Sequence, residues 1–152
     1  MIITVDTNIL LSIFKKDSLF GQASYLLNKY NTNEYVINDA IYLELGNHFQ
    51  NFEHLDEVLD ILEVRLVDND QTEYQGILRA WSNYLKKMNF ICPSCKKTIK
   101  LICPNCQTPQ SYRQRILTDF FIGGFSMKNS NAILTLDPTY YKNYFPELKI
   151  LS

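Results

Sequence analysis

Residues 1–14, MIITVDTNILLSIF, give the clearest indication of the fold of this chain. The run Met1–Val5 is apolar and rich in β-branched residues, which is typical of a fully buried strand. Asp6 ends this run, and Thr7 and Asn8 lead into an apolar segment that suits the start of a helix. A buried strand that stops at an acid and continues into a helix predicts an α/β protein with a polar group at the carboxyl end of the strand.

The alternation of strands and helices continues along the chain. Further strands are predicted at residues 34–37, 64–67, 132–136 and 148–151. Helical spacing of apolar residues predicts helices near 19–30, 39–49, 55–62, 71–87, 116–127 and 140–145. Asn38 or Asp39 is expected to cap the second of these helices, and Asp70 the fourth. In the fourth helix the inward residues are predicted to be Tyr74, Ile77, Leu78, Trp81, Tyr84 and Leu85.

This order of elements predicts a three-layer α/β fold with a central, mainly parallel sheet flanked by helices. Sheets of this kind bind ligands beyond the carboxyl ends of their strands. Asp6 and Asp137 both follow predicted strands directly. We therefore expect a functional site at that edge of the sheet.

Length and composition restrict the class of protein. The chain has 152 residues, of which 46% are hydrophobic and 20% charged, which is ordinary for one globular domain with its own core. It contains no run of about eighteen apolar residues, so no membrane span is expected. The N-terminal segment lacks a basic head and a small-residue cleavage site, so the expected location is the cytoplasm.

The charge is polarised although the formal net charge is only −1. Residues 86–118 contain no acid and seven basic residues: Lys86, Lys87, Lys96, Lys97, Lys100, Arg113 and Arg115. Removing these seven from the 15 basic residues leaves 8 against 16 acids elsewhere, a net charge of −8. Such a basic segment often binds a polyanion, because neutralised phosphates release counterions. A solvated insert is the simpler interpretation.

Four acids stand in apolar surroundings: Asp6 in ITVDTNI, Glu44 in YLELG, Asp119 in LTDFFI and Asp137 in LTLDPTY. A carboxylate near a buried strand end is costly unless a cation or a hydrogen-bond donor compensates it. Gathered carboxylates also repel one another unless a metal ion neutralises them, and oxygen ligands favour Mg²⁺ or Mn²⁺. Each acid alone has a simpler explanation as a helix cap, a turn residue or a partly exposed helix residue.

In these contexts the chain resembles the PIN-domain ribonucleases, and among them the VapC toxins of type II toxin–antitoxin systems. VDTNILL is similar to the first PIN motif, YLELG to the second and RILTDFFIGGFS to the third. AILTLDPTYYKNYFPELKI resembles the C-terminal signature of VapC-type toxins. The similarity covers the chain apart from the cysteine segment, and its signal is the order of four short motifs.

The resemblance implies roles for the matched residues. The catalytic acids, which would bind Mg²⁺ or Mn²⁺, are Asp6, Glu44, Asp119 and Asp137. The residues that would support them are Thr7, Asn8 and Thr135. Close relatives often carry a small-residue pair and a histidine after the third acid, whereas residues 123–126 of this chain are GGFS. No polar role is therefore expected at Phe125.

The cysteine segment has its own pattern. Cys92, Cys95, Cys103 and Cys106 have the spacing C-x2-C-x7-C-x2-C, which provides four thiolates for a tetrahedral Zn²⁺. Disulfides and an iron–sulfur cluster are the alternatives. We predict a zinc-ribbon insertion at residues 89–110 within one PIN-like domain spanning 1–152, with a small hairpin crossing between the two cysteine pairs at 96–102. Because all four ligands come from the protein, the zinc would be structural.

The basic residues near this segment are candidates for binding RNA. Lys96, Lys97 and Lys100 would let the insert contact RNA or a partner protein, although the insert could equally be a stabilised loop. Arg113 and Arg115 precede Asp119 by six and four residues. They are candidates for positioning phosphate, with a surface ion pair as the alternative.

The first functional hypothesis is a metal-dependent endoribonuclease of the VapC type. The resemblance implies hydrolysis of RNA phosphodiesters by a metal-activated water, leaving a 5′-phosphate and a 3′-hydroxyl. It also implies a cognate antitoxin protein and often a homodimer. One alternative is a ribosomal-RNA processing nuclease, since some PIN proteins of ribosome maturation carry a zinc ribbon. Another is a catalytically silent RNA- or protein-binding module on the same fold.

Overall fold

The computed structural model describes residues 1–68, 74–86, 92, 94–110 and 117–152. The elements within these ranges are, in chain order, β1 (Ile2–Val5), α1 (Thr7–Lys15), α2 (Phe20–Lys29), β2 (Glu34–Ile37), α3 (Asp39–Gly46), α4 (Phe52–Ile61), β3 (Val64–Leu66), α5 (Tyr74–Lys86), β4 (Leu101–Ile102), β5 (Pro109–Gln110), α6 (Leu117–Asn129), β6 (Ala132–Leu134), α7 (Pro138–Tyr144) and β7 (Ile150–Leu151). None of the helices within these ranges has the length and apolarity needed to span a bilayer.

Five strands form a central parallel sheet in the order β3-β2-β1-β6-β7. Ile3 in the middle of β1 is paired with Tyr35 of β2 on one side and Ala132 of β6 on the other. These central strands are apolar and buried, as expected for a parallel sheet covered by helices on both faces. The predicted fold class, α/β with a mainly parallel sheet flanked by helices, is confirmed.

The position of β1 creates a crevice at one edge of this sheet. From β1 the chain moves outward to β2 and then β3, whereas β6 and β7 extend the sheet on the opposite side of β1. The connections that leave β1 and β6 therefore diverge, and such a switch point is where parallel sheets bind ligands. Asp6 follows β1 and residues 135–137 follow β6, so both segments enter this crevice.

Local sequence signals explain where several helices begin. Asn38 caps α3, because its side chain accepts a hydrogen bond of 3.1 Å from the backbone N–H of Ile41. The same device begins α4, where Asn51 accepts from the N–H of His54 at 2.9 Å. The predicted cap of α5, Asp70, lies outside the described residues.

The prediction for the inward face of α5 was partly wrong. Ile77 and Tyr84 are buried as expected, together with Ala80. Three residues predicted to face inward are exposed instead: Leu78 (66%), Tyr74 (59%) and Leu85 (38%). At about 100° per residue, Leu78 and Tyr74 lie roughly 60–100° around the helix from Ile77. The apolar arc of α5 is thus wider than the part that contacts the core.

Close packing holds α6 against the C-terminal segment. The ring of Phe145 is fully buried and lies against Gly123 of α6, so that a Cβ at position 123 would overlap the ring. Phe120 of the same helix is also fully buried, among the aromatic rings of α5 and α7. Asp119 precedes Phe120 directly, so this packing fixes the position of the third predicted acid.

Candidate active site

Asp6 lies at the carboxyl end of β1 and is only 7% exposed. It occupies the position before α1, yet its side chain makes no capping hydrogen bond to that helix. Its Oδ2 instead accepts hydrogen bonds of 2.6 Å from the hydroxyl of Thr135 and from the amide Nδ2 of Asn8. The simple explanation of Asp6 as a helix cap therefore does not describe its contacts.

Asn8 joins the two central strands at this point. Its Nδ2 also donates to Thr135 Oγ1 at 3.1 Å, and its Oδ1 accepts from the backbone N–H of Leu136 at 3.0 Å. Residues that follow β1 are thereby bound to residues that follow β6. The arrangement fixes the orientation of the Asp6 carboxyl at the switch point.

Burial changes the acidity of Asp6. The pKa of its carboxyl is raised from 3.8 to about 6, chiefly by removal from water and in smaller part by the nearby charge of Asp119. The donated hydrogen bonds, first that of Thr135, act in the opposite direction. A bound cation would stabilise the ionised form of this carboxyl, which burial disfavours. The raised pKa of Asp6 is therefore consistent with a cation-binding site.

Glu44 faces the same crevice from α3. Its Oε2 accepts a hydrogen bond of 2.6 Å from the hydroxyl of Thr7, which is itself only 7% exposed. Partial burial raises the pKa of Glu44, and the charge of Asp119 adds to the effect. Asp119 lies in the first turn of α6 as described and acts on the pKa values of both Asp6 and Glu44.

Asp137 combines two roles. Its side chain caps α7 by accepting a hydrogen bond of 3.3 Å from the N–H of Tyr140, and its own N–H donates to Thr135 Oγ1 at 3.0 Å. The simpler explanation of Asp137 as a cap thus agrees with its contacts. The residue nevertheless faces the same cavity as the other three acids.

One cavity of about 260 Å³ is lined by all four predicted acids: Asp6, Glu44, Asp119 and Asp137. Thr7 and Asn8 also line it, whereas Thr135 is fully buried behind Asp6. A larger cavity of about 400 Å³ lies elsewhere, between α4 and β3. The four acids come from separate parts of the sequence and meet only because the sheet brings their elements together.

The donor set fits a hard divalent cation. Carboxylate oxygens are the ligands that Mg²⁺ and Mn²⁺ prefer, and a cation here would offset the burial that disfavours negative charge. In the described residues, no three Asp, Glu, His or Cys side chains are already placed to hold one ion together.

Two tyrosines of α7 belong to this cavity and were missed by the sequence analysis. Tyr140 and Tyr141 both line it, and Tyr141 is almost fully buried. The Tyr141 hydroxyl donates a hydrogen bond to Asp6, and burial together with the Asp6 charge places the pKa of Tyr141 well above 10. The available signal was their spacing, three and four residues after the capping Asp137.

The cysteines lie apart from this cavity's lining, in a mostly exposed segment. Cys92, Cys95, Cys103 and Cys106 form no disulfide. The predicted hairpin at 96–102 was wrong: β4 pairs in antiparallel fashion with β5, so the hairpin encloses the second cysteine pair. The reason is that the turn at Cys103–Cys106 reverses the chain and brings the following strand back along the preceding one.

The basic candidates are only partly described. Lys86, Lys96, Lys97 and Lys100 are exposed, while Lys87, Arg113 and Arg115 lie outside the described residues. Within the described ranges the ion pairs are Arg65 with Glu34 and Arg79 with Glu147. Neither of these ion pairs involves one of the four described lysines.

Comparisons with known proteins show the fold. No protein-family model and no curated protein matches the chain. A chain of VapBC2 from Rickettsia felis, solved with a DNA fragment from its promoter, matches with a TM-score of 0.58 and 18% identity over 99% of this chain and 98% of that one. VapBC-1 from nontypeable Haemophilus influenzae matches with a TM-score of 0.57 and 17% identity over 100% and 98%.

FitAcB from Neisseria gonorrhoeae matches with a TM-score of 0.61 and 13% identity over 99% of this chain and 96% of that one. The likeness runs through the whole of each chain. The protein therefore has the VapC-like PIN fold that its motifs predicted. At these identities the comparison concerns the fold, and the chemistry has to be argued from the residues of this chain.

Proposed function

We propose that this protein is a metal-dependent endoribonuclease that acts as a VapC-type toxin. The observation that supports the proposal is the meeting of four acids, drawn from four separate parts of the sequence, around one cavity at the switch point of a parallel sheet. A purely structural role does not require this gathering, because each carboxylate added to a buried cavity raises the cost of ionising the others.

Each residue of the cavity has a task in this proposal. Asp6, Glu44 and Asp119 would hold Mg²⁺ or Mn²⁺, and Asp137 would add a fourth carboxylate. The bound cation would supply an acidified water and shield the charge of the phosphate. Hydrolysis by water needs no protein nucleophile, and its products carry a 5′-phosphate and a 3′-hydroxyl.

The uncharged neighbours orient the acids. Thr135 and Asn8 fix the Asp6 carboxyl through hydrogen bonds of 2.6 Å, and Thr7 fixes Glu44 in the same way. Tyr141 donates to Asp6 from α7. Because these donors are themselves held by packing, the acids keep their orientation when a substrate enters.

The partner in this proposal is an antitoxin protein. The solved VapBC structures combine VapC with VapB, and we infer a cognate antitoxin and a homodimer for this chain on the basis of the shared fold. RNA is the proposed substrate because the chain concentrates basic residues in one segment next to an acidic body.

The test combines cleavage in solution with growth in cells. The purified chain should cut RNA in the presence of Mn²⁺ or Mg²⁺ and leave 5′-phosphate ends, and its expression should arrest growth. Glu44→Gln should reduce cleavage by more than about 100-fold, the upper end of the loss seen when a residue that only supports a metal ligand is removed. The arrest should be lifted by this substitution and by co-expression of a small protein encoded next to the gene.

Other results would favour the other hypotheses. Cleavage of RNA without growth arrest would favour a nuclease of ribosomal-RNA processing. Absence of both cleavage and cation binding would contradict the nuclease proposal and leave a binding module on the same fold. As a control, Glu57→Gln removes an exposed acid on α4 and should leave cleavage and arrest unchanged.

We also propose that the lysines of the insert contact the RNA. Reversing Lys96, Lys97 and Lys100 to Glu should weaken RNA binding, because three cations that can neutralise phosphates become anions. If each lysine neutralises one phosphate of a single strand, the slope of log affinity against log salt concentration should decrease by about 2. Filter binding or fluorescence anisotropy over a range of salt concentrations measures both quantities.

The matched control reverses three exposed lysines at the far ends of α1 and α2: Lys15, Lys16 and Lys29. The change in net charge is the same, so any general electrostatic effect appears in both variants. Equal affinities and equal salt slopes in the two variants would contradict contact between the insert and RNA.

A further inference from the structure

The cysteine segment contains the same backbone turn twice. In the first turn the N–H of Lys96 donates to the carbonyl of Cys92, and in the second the N–H of Gln107 donates to the carbonyl of Cys103, both at 2.9 Å. The N–H of Cys92 then donates to the carbonyl of Lys97 at 2.9 Å, and that of Cys103 to the carbonyl of Thr108 at 3.0 Å. Each turn therefore holds its two cysteines in the same relation to one another.

Both turns also share an unusual backbone conformation. The residue after the second cysteine is left-handed in each, with φ of 60° at Lys96 and 59° at Gln107. Residues other than glycine disfavour this region because Cβ approaches the backbone, and they adopt it where the surrounding structure requires it. The same left-handed conformation therefore stands directly after each cysteine pair.

Packing does not supply this requirement. Side-chain exposure is described for residues 92, 94–100 and 102–109, and all of these side chains are exposed except Cys92 and Cys103, which are half-buried. A segment of this size without a core of its own is normally ordered by a cross-link or a metal ion. The four cysteines form no disulfide, so their thiols remain available as ligands.

We propose that Cys92, Cys95, Cys103 and Cys106 bind one structural Zn²⁺ through four thiolates. Pairs with two intervening residues, held in tight turns, are the ligand arrangement of tetrahedral zinc sites, and thiolates select zinc over the hard cations suited to the acidic cavity. Among the described residues, no three of these thiols are grouped around one point, and in the proposal a bound Zn²⁺ would join the two turns. The proposal is independent of the nuclease activity.

Charge supports the assignment. Four thiolates around Zn²⁺ carry a formal charge of −2, and Lys96, Lys97 and Lys100 lie within the same segment without an acidic neighbour in the sequence. These lysines offset the excess negative charge of the ion and its ligands. Because four protein ligands leave no open position, the ion would order the segment rather than take part in hydrolysis.

The experiment measures metal content and thiol reactivity of the full chain, purified under reducing conditions. We expect one zinc per chain by elemental analysis and native mass spectrometry, with all four thiols protected from alkylation until a chelator is added. Replacement of zinc by Co²⁺ should give the visible spectrum of a tetrahedral ion with four sulfur ligands. Cys95→Ser and Cys106→Ser should each lower zinc affinity by more than about 100-fold, beyond the loss typical of residues that only orient a ligand.

Two matched variants complete the test. Ser94→Ala changes a residue inside the first turn that supplies no ligand, and Asp6→Asn changes the acidic cavity, so both should retain one zinc per chain. Four freely reactive thiols in zinc-loaded protein, stable disulfides, or iron with inorganic sulfide in place of zinc would overturn the proposal. Loss of RNA cleavage in Asp6→Asn with zinc retained would show that the two sites are separate.

Discussion

Asp6→Asn is expected to abolish metal-dependent RNA cleavage and, at the same time, to stabilise the metal-free protein at neutral pH. The two effects have one cause. Asp6 is buried at the end of β1. Its negative charge would bind a cation there, and without a cation the burial of this charge destabilises the folded protein. An asparagine keeps the shape of the side chain and one oxygen for the donors Asn8 and Thr135, but it has no charge.

The sign of the stability effect follows from the pKa of Asp6. Burial raises this pKa from 3.8 to about 6, so between these two pH values the folded protein binds more protons than the unfolded chain. The free energy of unfolding of the metal-free protein therefore falls as pH rises through this window. Below the window Asp6 contributes no pH dependence, and above it the loss reaches about 3 kcal/mol at about 1.4 kcal/mol per pKa unit.

Denaturant unfolding in the presence of a chelator measures this effect. The stability of Asp6→Asn relative to the wild type should increase from about pH 4 to about pH 6 and then remain constant, with a gain of up to about 3 kcal/mol. Mg²⁺ should stabilise the wild type more than the variant, because only the wild type has the complete set of acids.

The control is Asp60→Asn, which removes an exposed carboxyl from α4. It should leave cleavage unchanged and, because this carboxyl is exposed to water, its removal should not stabilise the protein by relieving the burial of a charge. Full Mn²⁺-dependent cleavage by Asp6→Asn would contradict the assignment of the site. A stability difference that is independent of pH would contradict the explanation by burial.

Phe120→Ala is expected to cost about 3–5 kcal/mol of stability, the range for truncating a large aromatic residue in a core. Phe120 is fully buried, and its ring lies 5.0 Å from that of Trp81 and 5.4 Å from that of Tyr144, measured between ring centres. It also contacts the ring of Tyr140, which lines the cavity. The residue thus joins α5, α6 and α7 beside Asp119.

The neighbouring Phe121 provides a matched control. It is only partly buried, and its aromatic neighbour is Tyr74 at 6.5 Å. Phe121→Ala removes the same atoms and should cost less than about 2 kcal/mol. Folding buries less of the Phe121 ring than of the Phe120 ring, so less apolar burial is lost when the Phe121 ring is removed. Thermal and denaturant unfolding of both variants compares the two losses, and Phe120→Leu serves if Phe120→Ala does not fold. Equal losses at the two positions would contradict the central role of Phe120.

Much of the fold could be predicted because the relevant signals are local. The strands β1 and β2 are short apolar runs bounded by polar residues, and Asn38 carries the side chain that caps α3. The placement of Asp6 and Asp137 after strands was also visible in the sequence. In a parallel sheet, this was sufficient to expect both residues at the same edge.

The remaining features depend on distant parts of the chain. Nothing near Tyr141 indicates that α7 will turn its side chain toward Asp6, since that contact joins residues 135 positions apart. The exposure of Leu78 depends on how much of α5 the core covers, which the apolar pattern of the helix overestimates. The hairpin of β4 and β5 was misplaced because its strands have two residues each and little pattern of their own.

The hydrogen bond between Thr135 and Asp6 joins residues 129 positions apart, and two of the four acids, Asp119 and Asp137, lie in the last quarter of the chain. During synthesis on the ribosome, the first acid emerges long before the residues that complete its surroundings. If the acids act as proposed, the active site of a nascent chain is incomplete. The protein can then become active only after translation has passed α7.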